Sequence, residues 1–186
     1  QAISKLKRPG VHMLAEMQAV AHGANSVQYF QWRKSRGSSE KLHGAVVDHY
    51  GESDTRVFRE VAEVGRRLEG LDGVLATCPM PETAIIYDWE NRWAVEDARG
   101  PRNSGLHYLD TVKDFHGAFW RLGIPTDVID MTCDLSPYKL VIAPMIYLLR
   151  PGFAQRLRSF VEQGGTVLCT YWSGVVNESD LCWLGG

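Results

Sequence analysis

The amino-acid sequence predicts an α/β protein with parallel strands, and three observations carry that expectation. Short apolar runs alternate with amphipathic helices across the second half of the chain. The first half reads helix, strand, long loop, helix, half a turn of a parallel α/β structure. A glycine- and proline-rich break from Leu71 to Glu82, with Gly73, Pro79 and Pro81, separates the two. With 45% hydrophobic and 23% charged residues among 186, the chain is not wholly disordered.

Val11 to Ala21 sets Met13, Met17 and Val20 on one helical face, and His22-Gly23 supplies its stop. Ser26 to Trp32 alternates Val27, Tyr29 and Gln31 against Gln28, Phe30 and Trp32, the period of a strand. A polar, glycine-punctuated loop spans Arg33 to Gly44, a length usually reserved for functional or disordered segments. Asp54 to Leu71 spaces Val57, Val61, Val64 and Leu68 three and four apart, as an amphipathic helix requires. Beyond the break, Thr83 to Asp88 is continuously apolar enough to be a strand buried on both faces. Trp89 to Asn103 reads as a long polar loop, and about Ser104 to Leu122 as a helix burying Leu109, Val112, His116 and Phe119. Strands follow at Thr126 to Asp130, Lys139 to Pro144 and Thr166 to Thr170. A helix from Pro151 to Gln163 turns Phe153, Leu157, Phe160 and Val161 inward, stopped by Gly164-Gly165. This alternation predicts a doubly wound, flavodoxin-like sheet.

Several function classes fall away. A net charge of -2 gives no global field for nucleic acid or an anionic membrane. The basic run Lys5-Leu6-Lys7-Arg8 reads as a solvated loop. The four cysteines, Cys78, Cys133, Cys169 and Cys182, form no CxxC pair, so neither a metal site nor a disulfide framework is expected. Reduced thiols point to the cytoplasm. No apolar run approaches the roughly 18 to 20 residues that cross a bilayer. No GxGxxG follows Thr83 to Asp88, so no dinucleotide cofactor is expected. A chain running from Gln1 to Gly185-Gly186 reads as part of something longer.

The informative polar residues gather after the first predicted strand. Gln31, Trp32, Arg33, Ser35 and Arg36 lie at its carboxyl end, and Glu40 and His43 in the loop beyond. Hydrogen-bonding side chains beside aromatic faces suit a sugar, which has an apolar ring face and many hydroxyls. The competing reading is a solvated loop whose charges do nothing. Elsewhere, His116 reads as a satisfied core histidine, and His12 and His22 as helix-end residues. Asp88, Glu90 and Asp97 suggest a cation site, against which solvated loop acids are the expected reading. Tyr87, Trp89 and Trp93 form an aromatic cluster suited to core, subunit interface or sugar platform.

Two elements sharpen this. FQWRKSRG (Phe30 to Gly37) and EKLHGAVVDH (Glu40 to His49) resemble the last barrel segment of glycoside hydrolase family 42 β-galactosidases. TAIIYDWENRWA (Thr83 to Ala94) is similar to the opening strand of that family's trimerisation domain. The resemblance implies the C-terminal part of a (β/α)8 barrel over 1–75, a linker over 76–82, and a flavodoxin-like, class I glutamine amidotransferase-like domain over 83–186. It implies a homotrimer acting on galactosides. Glu40 and His43 would contact the galactosyl unit, with Trp32 and Gln31 supporting the pocket. The family's retaining chemistry needs two carboxylates about 5 Å apart, and the resemblance implies that both precede Gln1. Glu40 is then a binding residue, and the chain alone is inactive.

Amidotransferases of that fold carry a cysteine nucleophile on the turn after a central strand. Here the turn reads Met145-Ile146-Tyr147, and Cys169 falls within a predicted buried strand, where a core role is expected. The rival readings are a non-enzymatic flavodoxin-like binding or oligomerisation module and an amidotransferase-like hydrolase. The sugar-suited loop argues against the first and the missing cysteine against the second.

Overall fold

A computed structural model describes residues 6–74, 77–98 and 105–184. Parts of four expected segments lie outside them: Lys5 of the basic run, the break at 75–76, the end of the Trp89 to Asn103 loop, and the helix start at Ser104. The chain forms two compact units, Gln1–Pro79 and Met80–Gly186.

The first unit holds helices α1 (Val11–Ala21) and α2 (Arg56–Glu69), packed on each other. Gly23, at φ 96°, lets α1 close with the Gly23 amide on the Val20 carbonyl and the Ala24 amide on the Ala19 carbonyl. Helix α2 starts at Thr55, whose side chain accepts from the Phe58 amide at 3.2 Å, and buries Val64. Val57, Val61 and Leu68 are half-buried along the same stripe.

Ser26 to Trp32 does not form the expected strand. Its alternation is right, but a strand exists only as a ladder with a neighbour. Among the described residues the backbone partner of this segment is a loop: the Gln31 and Trp32 carbonyls accept the Val46 and Val47 amides, and one isolated parallel bridge joins Arg33 to Val47.

The second unit is a parallel four-stranded sheet in the order β2 (Thr126–Ile129), β1 (Thr83–Ile86), β3 (Leu140–Ala143), β4 (Thr166–Cys169). The chain leaves β1 for β2 on one side and returns to β3 on the other, so its direction switches between β1 and β3. Helices cover both faces. Helix α5 (Phe153–Glu162) packs Phe153 and Phe160 against Ala84, Ile86, Val141 and Ala143. On the opposite face Val95 of α3 (Trp89–Asp97) and Tyr108 and Val112 of α4 (Tyr108–Arg121) pack against Ile85 and Ile142. All four residues of β1 are buried, as its unbroken apolar run requires.

Three expectations need correction here. Trp89 to Asp97 is a helix: Asp88 caps it by accepting from the Glu90 and Asn91 amides at 3.0 and 3.2 Å, and Arg92 pairs with Glu96 one turn on. Cys169 is exposed, because among the described residues β4 is an edge strand pairing only with β3, and its residues are buried no more than halfway. Val161 points largely to solvent at 50% exposure, while Phe153 and Phe160 hold the buried stripe of α5. On α4 the buried anchors are Tyr108 and Val112, with Leu109, His116 and Phe119 half-buried.

Candidate functional site

Segment 30–49 of the first unit is a loop closed at its base. The Val46 and Val47 amides donate to the Gln31 and Trp32 carbonyls at 2.9 and 2.7 Å, and the Lys34 amide donates to the Val47 carbonyl at 3.1 Å. Val46 and Val47 are 6% exposed, so the closing strand is anchored by apolar burial. The Lys34 ammonium spans both oxygens of Asp48 at 3.0 and 2.9 Å. The His49 Nε2 atom lies 2.9 Å from the Ser35 carbonyl, which it reaches as a donor in the Nε2–H tautomer. The Lys34 ammonium and then the His49 amide hold the Asp48 carboxyl below its ordinary range.

Above this base, Ser39–Leu42 makes one 3₁₀ turn with Glu40 in it, and the His43 amide donates to the Glu40 carbonyl at 2.9 Å. Neither the Glu40 carboxylate nor the His43 ring has a hydrogen-bond partner among the described residues. The His43 ring stands edge-on to Phe30 at 6.4 Å. Trp32 is 65% exposed and leans on Phe58 of α2 at 6.2 Å. Gln31 Oε1 accepts from the Ser35 hydroxyl at 3.4 Å, while its Nε2 donor is buried without a partner. The base thus gathers Gln31, Trp32 and Ser35, and the turn carries Glu40 and His43. None of Gln31, Trp32, Glu40 and His43 lines the apolar groove of this unit, walled by Met17, Val20, Leu68 and Leu71.

Sequence reasoning missed the base itself. Lys34 and Asp48 are opposite charges flanking a long loop, a readable signal, but fourteen residues of separation hide it from any local periodicity. It also missed Tyr29, whose hydroxyl is buried without a partner and whose ionisation burial, and then the nearby Glu16, push upward.

The second unit has its own polar cluster, beyond the carboxyl ends of β1 and β3, in which the side chains of Asp88, Asn91 and Tyr108 are all engaged. Asp88 is fully buried: beyond the α3 cap it accepts from the Met131 amide and from Arg150, both at 3.3 Å. Asn91, also fully buried, donates to the Met145 carbonyl at 3.0 Å and accepts from the Leu148 amide at 2.9 Å. The Tyr108 hydroxyl donates to the Ile86 carbonyl and accepts the Asp88 amide, both at 3.1 Å. Met145, at φ 45°, occupies the turn after β3 where amidotransferases of this shape carry cysteine, and it is fully buried. Its sulfur can accept no more than the Thr111 hydroxyl, 3.5 Å away. This crevice is filled, not poised for a nucleophile.

A family model described as the β-galactosidase trimerisation domain matches residues 81–186, and one described as β-galactosidase matches residues 1–71. The chain belongs to the family 42 β-galactosidases. The β-galactosidase of Clostridium perfringens is 59% identical across the whole chain, and that of Alicyclobacillus acidocaldarius 61%; the chain covers 27% of each. Among solved structures, the β-galactosidase of a Rahnella species matches the whole chain at 60% identity and TM-score 0.93, and that of Bacillus circulans at 50% and 0.94. The chain covers 27% and 28% of those two structures. This family 42 chain therefore spans about a quarter of the length of its relatives, and its α/β architecture is theirs. No helix among the described residues is long and apolar enough to cross a membrane.

Proposed function

We propose that this chain is part of a retaining β-galactosidase that removes terminal β-galactosyl residues, and that the 30–49 loop binds the galactosyl unit. The observation that carries the reading is the pairing of two unpartnered groups, Glu40 and His43, on a short turn above a closed base. A carboxylate there accepts hydrogen bonds from two sugar hydroxyls, an imidazole N–H donates one, and the exposed face of Trp32 suits the apolar ring face. Gln31, whose amide donor is buried without a partner, is assigned with Trp32 to support of the same site. The catalytic carboxylate pair is assigned to the part of the enzyme preceding Gln1, so the isolated chain has no turnover.

The proposed division is barrel over 1–75, linker over 76–82 and trimerisation domain over 83–186. The full-length enzyme is then a homotrimer, and a stable monomer by light scattering at micromolar concentration would contradict that part. Four unpaired thiols support a reducing, cytoplasmic setting. The galactosyl reading is tested by Glu40→Ala and His43→Ala in the full-length enzyme. Each deletes a hydrogen bond to a charged or sugar group worth about 1.5 to 3 kcal/mol. That corresponds to a roughly tenfold to hundredfold fall in kcat/KM. Glu52→Ala, exposed and beyond the loop, is the control and stays near wild type. Wild-type kcat/KM in both folded loop variants overturns the assignment.

A further inference from the structure

We infer that Lys34 and Asp48 are positioning residues for the proposed galactosyl site: their ion pair closes the base of the 36–45 loop and fixes the turn that carries Glu40 and His43. The inference rests on the reading of Glu40 and His43 as sugar-binding residues, and it adds the device that holds them.

The loop has little of its own to order it. No residue from Arg36 to Ala45 is buried, and only Glu40 and Ala45 are even half-buried. Its internal backbone hydrogen bonds are those of one short 3₁₀ turn, Ser39–Leu42, together with the flanking bonds from the Lys41 amide to the Ser38 carbonyl and from the His43 amide to the Glu40 carbonyl. The Phe30–His43 ring contact is a single edge-on touch at 6.4 Å. A ten-residue excursion with so few internal restraints takes its geometry from where its ends are pinned.

The pinning has two layers. The inner layer is backbone: three amide–carbonyl bonds between 31–34 and 46–47, over buried Val46 and Val47. Substituting a side chain leaves these in place. The outer layer is side chain: the Lys34 ammonium on both Asp48 oxygens, with the His49 ring on the Ser35 carbonyl beside it. The Lys34 side chain is 22% exposed and Asp48 46%, so the pair is partly withdrawn from water. Lys34 is committed to Asp48 and is not itself a sugar-binding group. A hydrogen-bonding residue displaced by a fraction of an ångström loses much of its worth in a transition state, and the outer layer is what resists that displacement.

The test uses the full-length enzyme with a chromogenic β-galactoside as substrate and free galactose as competitive inhibitor. Lys34→Ala and Asp48→Asn should each lower kcat/KM roughly threefold to tenfold and raise the galactose inhibition constant by a similar factor. Thermal midpoints should hardly move, because the inner layer remains. Lys34→Arg, which keeps the charge and spans a carboxylate, should recover most of the loss. In a Glu40→Ala background, Lys34→Ala should cost much less than in wild type, because positioning acts through the group positioned. Three results overturn the inference: wild-type galactose inhibition in Lys34→Ala and Asp48→Asn, the same loss in both backgrounds, or no recovery with arginine. Should Lys34→Ala fail to fold, Asp48→Asn and Lys34→Arg decide it alone, by the galactose constant and by retention of wild-type kcat/KM. If Glu40→Ala itself keeps wild-type kcat/KM, the galactosyl reading fails independently of the ion pair.

Discussion

The chain contains two polar clusters that would look alike in a list of residues, and their hydrogen bonds set them apart. At the strand ends of the second unit, Asp88, Asn91 and Tyr108 are buried and spend their donors and acceptors on the backbone of Ile86, Asp88, Met131, Met145 and Leu148. In the first unit, Glu40 and His43 sit on an open turn with no hydrogen-bond partner among the described residues, and the buried Gln31 donor at the base of the loop also lacks one. Polar groups that satisfy one another are scaffold, since removing one strands its partners in a dry interior. Polar groups carried on a turn and open to solvent, with no protein partner, are available to a ligand.

The largest effect expected from this contrast is on stability. Asp88→Ala strips the cap of α3 and leaves Arg150 and the Met131 amide without their buried acceptor. Arg150 keeps an ion pair to Glu90 and is partly exposed, which moderates the loss. A fall of about 3 kcal/mol in the unfolding free energy of the second unit is expected in urea titrations. Asn91→Ala comes next, at about 2 kcal/mol, because the buried Leu148 amide loses its acceptor and the Met145 carbonyl keeps only the Tyr147 amide. If either change costs less than about half a kcal/mol, the second cluster is not scaffold and the contrast breaks.

A smaller effect is pH-dependent. Burial pushes the Tyr108 phenol up to about 12, whereas an unfolded tyrosine titrates near 10. The neutral form is the folded form, so its contribution is complete below about pH 10 and is lost as pH rises toward 12. At pH 11 wild type should have lost about 1.4 kcal/mol through this residue, a loss Tyr108→Phe does not suffer. Burial pushes Tyr138 to about 12 as well, so some alkaline loss remains in the variant. Identical alkaline profiles for wild type and Tyr108→Phe would contradict the buried hydroxyl. Smallest of all is Cys169→Ser on the exposed edge strand, within about 0.5 kcal/mol of wild type in the same titration.

Much of this contrast was legible in the sequence, for physical reasons that differ by region. Helix α1 was readable to its last residue because an apolar face and a glycine stop agree. The buried β1 was readable because only a strand covered on both faces is apolar without alternation. Helix α3 resembles a loop in sequence because its polar surface hides it from periodicity. Its signals, a capping aspartate and an i,i+4 Arg92–Glu96 pair, are local and easily discounted. Ser26 to Trp32 failed oppositely: its pattern is that of a strand, but pairing depends on a neighbour that a strand's own sequence does not contain. Cys169 was misplaced because an apolar run does not distinguish a central strand from an edge one. The FQWRKSRG and EKLHGAVVDH elements singled out Glu40 and His43. That their groups stand unpartnered above a Lys34–Asp48 base needed coordinates, because closing a loop is a long-range event.

The most direct test measures two quantities on two variants of the full-length enzyme: kcat/KM for a β-galactoside and the thermal midpoint, for Glu40→Ala and Asp88→Ala. A ligand-holding Glu40 predicts a tenfold or greater fall in kcat/KM with a midpoint within about 1 °C of wild type. A scaffold Asp88 predicts a midpoint lowered by several degrees, with kcat/KM largely kept at temperatures where the variant stays folded. Glu40→Ala with unchanged kcat/KM, or with a lowered midpoint as its main effect, would contradict the assignment of the open loop as the binding site.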